Sequence, residues 1–252
     1  MNAGTQFADH ARRRFLKGIG LTLGASIAPG ALFVELARAK PPTEAVSNTN
    51  RWGLLIDTSK CTDGCDACVR GCNDEHGLDG KGRPATDAQW IRKLSIRQRS
   101  TGHRHSLPML CQHCDEPPCV DVCPTGASFK RADGIVLVDK HICIGCRYCM
   151  MACPYKARSF IHETLRDQLP HAPRGKGTVE SCTLCVHRVD RFGGDALPAC
   201  AEACAEAGHN AILFGDLNDT GSEIAERLHT QGGRQIRADL RLNTGVRYQG
   251  IP

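Results

Sequence analysis

Apolar residues occur in short runs along the chain, and most of these runs lie next to groups of cysteines. The run Trp52–Asp57 predicts a strand that enters the first group, and residues 135–138 predict a strand that enters the third group after a turn at Asp133-Gly134. Residues 211–215 predict a strand that leaves the fourth group. Residues 87–99 predict another strand with a flanking loop, although their apolar positions fit no single period.

Helices and loops are predicted between these strands. A short helix is expected directly after Pro124, and a second one at residues 222–229, where the apolar side chains fall on one face. Residues 74–86 and 168–180 are rich in Gly, Pro, Lys and His and predict loops. Aromatic residues make up only 5% of the chain, so the hydrophobic core must be small.

Residues 1–39 predict an export signal. Arg12-Arg13-Arg14-Phe15-Leu16-Lys17 follows the twin-arginine pattern, an apolar stretch runs from Gly18 to Val34, and Ala37-Arg38-Ala39 is a cleavage sequence before Lys40. An uncleaved N-terminal anchor is the alternative. Since no later window approaches the ~18 apolar residues of a membrane helix, the mature chain is predicted to be periplasmic, without a span, and attached to the inner membrane through a partner.

Sixteen cysteines fall into four consecutive sets, and their spacing carries the chemistry. The third set has the spacing C-x2-C-x2-C-x3-C-P, the run that holds a 4Fe–4S cluster in two-cluster ferredoxins. The second set has a similar spacing and also ends in proline. Four thiolates for each cube predict four 4Fe–4S clusters with no cysteine left over. The sets are, in order, Cys61, Cys65, Cys68, Cys72; Cys111, Cys114, Cys119, Cys123; Cys143, Cys146, Cys149, Cys153; and Cys182, Cys185, Cys200, Cys204.

Zinc and disulfides are the two alternatives for these cysteines. Structural zinc sites use two separated cysteine pairs rather than a dense run of four that ends in proline. An exported protein with an even number of cysteines often carries disulfides. However, cysteines spaced two residues apart in repeated quartets have poor geometry for disulfides and good geometry for clusters. The spacing therefore favours iron–sulfur clusters.

The repeated sets predict an α+β fold made of two nested or tandem two-cluster ferredoxin-like units with long loops. Sets two and three form an inner unit at about residues 106–160. Sets one and four flank this unit and pair across it to form an outer unit. The outer unit consists of residues 40–105 and 161–216, and residues 217–252 are a C-terminal tail. Because the core is small, cluster ligation must supply much of the stability.

The charge of the chain and its remaining motifs argue against nucleic-acid binding and against an enzyme active site. Removing residues 1–39 takes away five Lys or Arg and two Asp or Glu, so the formal charge falls from +5 to +2. Bound clusters would make the protein acidic overall, which gives no support to nucleic-acid binding. The chain has no Ser/His/Asp set, phosphate loop or G-x-G-x-x-G fingerprint. It is therefore predicted to move electrons and not to act as an enzyme by itself.

The cysteine motifs resemble those of a known family. Three features resemble those of the four-cluster ferredoxin subunits of membrane-associated dimethyl-sulfoxide, polysulfide, tetrathionate and nitrite reductase systems. They are the twin-arginine signal, the motif C-x2-C-D-E-P-P-C in set two and the motif C-I-G-C-R-Y-C in set three. The resemblance covers residues 12–216. Within the family, Arg51-Trp52-Gly53 and the tail from Ile236 to Gly250 resemble the DsrO group, the periplasmic iron–sulfur subunits of DsrMKJOP complexes in dissimilatory sulfur metabolism.

This resemblance implies a crossed pattern of ligation, in which the last cysteine of each set binds the cube of its partner set. The implied cubes are Cys61, Cys65, Cys68 with Cys204; Cys182, Cys185, Cys200 with Cys72; Cys111, Cys114, Cys119 with Cys153; and Cys143, Cys146, Cys149 with Cys123. The chain departs from the pattern in the outer unit, where the first gap of set one is three residues and Asn73 and Ala205 replace the prolines after Cys72 and Cys204.

The resemblance also implies partners. The expected ones are a quinone-interacting integral membrane subunit and further redox subunits, among them a multihaem cytochrome. A molybdopterin reductase subunit and a free periplasmic ferredoxin are the alternatives. Beside set three, the cations Arg147, Lys156 and Arg158 either raise a cluster potential or form an ordinary basic surface. His113 and His187 lie near the cysteines but are not expected to bind clusters, because sixteen cysteines already suffice.

Overall fold

The computed structural model describes residues 46–102, 104–166 and 168–251. The predicted twin-arginine leader and its cleavage point lie outside these residues. Within the described ranges, no helix is both long enough and apolar enough to cross a membrane. The mixed content of small sheets and short helices agrees with the predicted α+β class and with a ferredoxin-like fold.

Nine strands and six α-helices alternate irregularly along the described residues. The strands are β1 Trp52–Asp57, β2 Ile91–Arg97, β3 Arg104–Leu110, β4 Ser128–Lys130, β5 Val136–Val138, β6 Ser159–Phe160, β7 Val179–Glu180, β8 Ile212–Asp216 and β9 Val246–Gln249. The helices are α1 Ala67–His76, α2 Pro118–Asp121, α3 Tyr148–Ala152, α4 Val186–Phe192, α5 Ala199–Glu206 and α6 Glu223–Gln231. Short 3₁₀ turns lie at Thr58–Lys60, Gly193–Asp195 and Ala238–Leu240.

The largest sheet has three strands, with β1 in the middle. β1 pairs with β8 in the antiparallel direction, in the register Leu54↔Phe214, and with β9 in the parallel direction, in the register Leu54↔Val246. Because β1 has a neighbour on both edges, its residues from Trp52 to Ile56 are all buried. The Trp52 and Phe214 rings stack at 5.4 Å. The predicted strands at Trp52–Asp57 and residues 211–215 are confirmed.

Three two-stranded sheets complete the β structure of the described residues. The hairpin of β2 and β3 confirms the predicted strand within residues 87–99, and β4 and β5 form the hairpin predicted around Asp133-Gly134. The short helix predicted after Pro124 is wrong. A turn occupies that position, Gly126 adopts a φ of 70°, and the chain then enters β4, whose Ser128 pairs with Val138. Sheet pairing satisfies the backbone there, so a helix has no advantage.

Short helices follow the cysteine loops and pair with one another. α1 packs against α5, and α2 packs against α3. Gly71 in α1 allows the close approach of α5, because a Cβ atom at this position would lie 2.6 Å from Cβ of Ala203. The predicted C-terminal helix is confirmed as α6, which Ser222 caps by accepting a hydrogen bond from the backbone of Ala225.

Candidate functional site: the cysteine groups

All sixteen cysteines lie among the described residues, and none of them forms a disulfide. Eleven are buried, and Cys146 is exposed. The four that are partly buried are Cys61, Cys65, Cys123 and Cys143. Buried, unpaired cysteines in this number cannot be explained by packing alone, since a chain with a small core gains little from placing so many thiols inside it.

A residue with a positive φ occupies the same position in all four cysteine sets. The residue before the second cysteine has a positive φ: 80° at Gly64, 44° at His113, 70° at Gly145 and 56° at Leu184. Glycine adopts this conformation easily, whereas a residue with a side chain incurs a cost of about 1–3 kcal/mol. The longer gap in set one therefore keeps the positive φ before its second cysteine.

The thiols of the outer unit meet across a long stretch of sequence. Those of Cys61 and Cys68 lie within electrostatic range of Cys204, because the packing of α1 against α5 brings their segments together. One turn further along the same face of α1, another thiol lies among three from set four. That group is Cys72 with Cys182, Cys185 and Cys200.

The inner thiols meet in a similar way. Cys153 lies within electrostatic range of Cys114 and Cys119, whereas Cys149 interacts with Cys123 and Cys143. We call the four spatial groups sites, to distinguish them from the sequence sets. They are site 1, Cys61, Cys65, Cys68, Cys204; site 2, Cys72, Cys182, Cys185, Cys200; site 3, Cys111, Cys114, Cys119, Cys153; and site 4, Cys123, Cys143, Cys146, Cys149. These proximities are those that the crossed pattern requires, and the ligation itself stays a prediction.

Contacts between sites give the sites a linear order. The Cys68 and Cys200 thiols join site 1 to site 2. Cys111 and Cys182 join site 2 to site 3, and Cys119 and Cys149 join site 3 to site 4. Cofactors held at sites this close to one another would form a continuous row from one end of the cysteine region to the other.

Backbone N–H groups point at the cysteine sulfurs. Ser128 donates to Sγ of Cys123 at 3.3 Å, and Ala211 donates to Sγ of Cys204 at 3.4 Å. Other sulfurs accept similar bonds, namely those of Cys143, Cys182 and Cys185. Such donors stabilise negative charge on sulfur, and they are one of the means by which a protein sets the potential of an iron–sulfur cluster.

Two buried donors at site 3 have hydrogens without an acceptor among the described residues. Nε2 of His113 must carry a hydrogen, because its Nδ1 accepts from the backbone of Val136 at 3.1 Å. Burial lowers the pKa of His113 to about 3, so the ring is neutral. Nη1 of Arg158 is the second such atom. Because unsatisfied buried donors are costly, both atoms fit a site that holds further acceptors, such as the sulfides of a cluster.

The thiol electrostatics also fit a positively charged metal centre. Burial, together with neighbouring thiols, raises the pKa of Cys68 to about 11 and the pKa values of Cys114 and Cys182 to about 12. Four such thiols cannot all ionise in one site unless a cation is present. Ferric and ferrous iron supply that charge, and thiolates are their ligands in 4Fe–4S clusters. The residues present therefore fit this cofactor, which when bound takes up or gives up one electron at a time.

Only one of the three cations predicted near set three reaches the thiols. Arg158 is buried, and its Nη2 donates to Sγ of Cys119 at 3.0 Å and to Ser128 at 2.8 Å. Arg147 stacks on the ring of Phe160 at 3.7 Å, and Lys156 is an exposed residue whose Nζ donates to a backbone carbonyl. The sequence alone could not distinguish these three cations, because it does not show which side chain points towards the cysteines.

Site 4 is the most exposed of the four, and apolar side chains surround it. Ile144 and Met151 are 67% and 65% exposed, and Ile142 and Tyr148 are also about half exposed. We call these four residues the site 4 surface. Sequence reasoning did not single them out, because their composition resembles that of an ordinary loop and short helix.

Similarity to known proteins agrees with this geometry. A family model described as a 4Fe-4S dicluster domain matches residues 103–216. The Hdr-like menaquinol oxidoreductase iron-sulfur subunit 1 of Archaeoglobus fulgidus is 37% identical, over 94% of this chain and 97% of its own. The chain belongs to the 4Fe–4S ferredoxin subunit family of oxidoreductases. Members of this family that match it also include a subunit of the tetrathionate reductase of Salmonella typhimurium, which is 40% identical over 88% of this chain and 80% of its own.

A further member of this ferredoxin subunit family is a subunit of the sulfite dehydrogenase of Allochromatium vinosum, which is 37% identical over 73% of this chain and 76% of its own. The chain is thus an iron–sulfur electron-transfer subunit rather than a catalytic one. The dicluster match spans cysteine sets two to four, whereas set one lies within the match to the archaeal protein, which covers almost the whole chain.

Proposed function

We propose that the chain carries four 4Fe–4S clusters, one at each thiol site, and relays electrons along the row from site 1 to site 4. The observation that carries this proposal is the crossed grouping of the sixteen thiols, in which each site takes three cysteines from one set and the fourth from another. The contacts between sites support the order of the row. Electron transfer through it is serial, since each inner cluster has one neighbour on either side.

The site 4 surface is the proposed point of electron exchange with a partner. An exposed cluster ligand, Cys146, beside exposed Ile144 and Met151 is suited to docking, because apolar contact excludes water between two redox centres. The partner at one end of the row is a quinone-reactive membrane subunit, and the partner at the other end is a further redox subunit. The relative named for a menaquinol oxidoreductase supports this assignment.

The proposed setting is a periplasm-facing complex of dissimilatory sulfur metabolism, of the DsrMKJOP kind, reached by twin-arginine export. Relatives named for tetrathionate and sulfite support sulfur metabolism, and the motif around Trp52 and the C-terminal tail support the narrower assignment. A role beside a molybdopterin reductase subunit is the second candidate, and the tetrathionate reductase relative favours it. Co-purification from the native membrane distinguishes a multihaem cytochrome partner from a molybdenum protein.

The crossed grouping is tested by single cysteine substitutions. Cys153→Ser should perturb the cluster of site 3, although Cys153 belongs to set three in the sequence. The EPR spectrum of reduced Cys153→Ser should therefore match that of Cys114→Ser and differ from that of Cys146→Ser. Cys123→Ser should match Cys146→Ser. If Cys153→Ser instead matches Cys146→Ser, each set closes on itself and the crossed arrangement is wrong.

Cofactor content tests the number of clusters. The anaerobically purified protein is expected to contain about sixteen iron and sixteen labile sulfide per chain, because four cubes of four irons need all four sites. Iron and sulfide are measured on protein whose concentration is fixed by amino-acid analysis. A content near eight iron would contradict four clusters, and stoichiometric zinc without sulfide would contradict the cluster assignment altogether.

A further inference from the structure

Three histidines from distant segments meet beside site 2. His76 ends α1, His171 lies in the loop between β6 and β7, and His187 is in α4. One ring nitrogen from each of them lies within 4.8 Å of the other two. The rings of His171 and His187 are 4.3 Å apart, and those of His76 and His187 are 5.6 Å apart in an edge-to-face arrangement. No cysteine belongs to this group.

Hydrogen bonds fix which nitrogen carries the hydrogen in two of these rings. Nε2 of His187 contacts Oε1 of Glu75 at 2.7 Å, and Nε2 of His171 contacts the backbone oxygen of Glu75 at 2.8 Å. A carboxylate and a carbonyl can only accept, so Nε2 donates in both rings and Nδ1 is left with a free lone pair. Arg188 holds the Glu75 carboxylate in place through two bonds of 2.7 Å.

The third ring follows the same pattern. Nε2 of His76 lies 3.5 Å from Sγ of Cys185, which accepts when it is a thiolate. Nδ1 of His76 and Nδ1 of His187 are both buried and have no hydrogen-bond partner within the described part of the chain. His76 is only 2% exposed, so bulk water does not satisfy its free nitrogen. Two buried nitrogens of this group therefore have lone pairs that no described side chain satisfies.

We propose that His76, His171 and His187 bind one divalent transition-metal ion of the zinc class through their Nδ1 atoms, as a centre separate from the iron–sulfur clusters. Neutral imidazole is a preferred ligand of such ions. Metal-binding histidines characteristically donate their other nitrogen to a carboxylate or a backbone carbonyl, which orients the ring, and Glu75 provides both acceptors here.

The geometry needs only a small adjustment. Nitrogens bound about 2.1 Å from a tetrahedral zinc ion lie about 3.4 Å apart. Ring nitrogens within 4.8 Å of one another must therefore close by roughly an ångström, and the exposed side chain of His171 can supply this movement. A cavity of about 250 Å³, which His76 and His171 help to line, leaves room for a fourth ligand such as water. The ion would tie α1 and α4 to the loop between β6 and β7.

The test uses the iron-loaded protein under anaerobic conditions. Zinc is added in slight excess, loosely held ions are removed by desalting over a weak chelator, and zinc, iron and labile sulfide are measured together. One zinc should be retained per chain with no loss of iron or sulfide. With Co²⁺ in place of zinc, the protein with oxidised clusters, which have no EPR signal of their own, should show a high-spin cobalt signal.

His171→Ala is the decisive variant, because its ring is exposed and its removal leaves the core intact. Zinc affinity should fall at least tenfold in this variant. His141→Ala is the matched control, since His141 is exposed and lines the same cavity but does not belong to the group. Three results would each overturn the proposal: no zinc retained by the wild type, equal retention in His171→Ala, or zinc gained only as iron is lost. Because iron and sulfide are counted separately, failure here leaves the cluster assignment standing.

Discussion

Arg158 should raise the potentials of the clusters at sites 3 and 4. It is a buried cation whose guanidinium is 3.0 Å from Sγ of Cys119 and also lies within electrostatic range of Cys149. A cluster becomes more negative on reduction, so a fixed positive charge beside it stabilises the reduced form. Replacing Arg158 with neutral Gln should therefore lower these potentials.

The size of the shift follows from Coulomb's law. The added electron is spread over the whole cluster, so the charge separation is taken as about 6 Å, and at an effective dielectric constant of about 20 the interaction is about 2.8 kcal/mol. For a one-electron couple this corresponds to about 120 mV. Relaxation and entry of water into the space left by the side chain reduce the effect, so a fall of about 50–100 mV is expected.

A redox titration monitored by EPR measures this shift in potential. Arg158→Lys keeps the charge and should recover most of the potential. Lys156→Gln removes an exposed cation from the same segment, and solvent screening should limit its effect to about 20 mV or less. Iron content is measured for each variant, so that a lost cluster is not mistaken for a shifted one. If Arg158→Gln changes the potentials no more than Lys156→Gln does, or raises them, Arg158 does not tune the clusters.

Two further predictions concern loop geometry and export. Gly145→Ala should destabilise the protein by more than about 2 kcal/mol, because the added Cβ would clash with the carbonyl oxygen of Gly177. Gly64 has a similar φ but open space around it, so Gly64→Ala should cost only about 1 kcal/mol. Equal thermal unfolding temperatures for the two variants would contradict this. Replacing Arg12 and Arg13 by Lys should hold the precursor in the cytoplasm, which immunoblots of cell fractions measure; normal export of the double variant would exclude the twin-arginine route.

The cysteine loops could be predicted because their chemistry is encoded locally. A run such as that from Cys143 to Cys153 specifies its loop through spacing alone, and the turn before each second cysteine is compatible with several residue types. The strand Trp52–Asp57 was predictable for a related reason: its residues from Trp52 to Ile56 are all apolar, as expected of a strand that lies between two neighbours in a sheet.

What could not be predicted depends on contacts between distant residues. Val246–Gln249 alternates buried and partly buried positions, yet nothing in so short a run shows that its partner is β1, almost two hundred residues earlier. The histidine group presents the same difficulty. Glu75 and His171 both lie in segments that the sequence predicts as loops. Only the packing of α1 beside the loop between β6 and β7 brings them together.

The central sheet also sets the order in which the protein can be assembled. β1, the first described strand to leave the ribosome, lies between β8 and β9, and therefore its two edges stay open until nearly the whole chain has been made. Site 1 has the same dependence, because its last thiol comes from α5, whereas the thiols of sites 3 and 4 all lie between residues 111 and 153. The clusters proposed at sites 3 and 4 can therefore be inserted while synthesis continues, and those proposed at sites 1 and 2 only near its end. Pulse-labelled chains should accordingly acquire protease resistance first in the segment from β3 to α3.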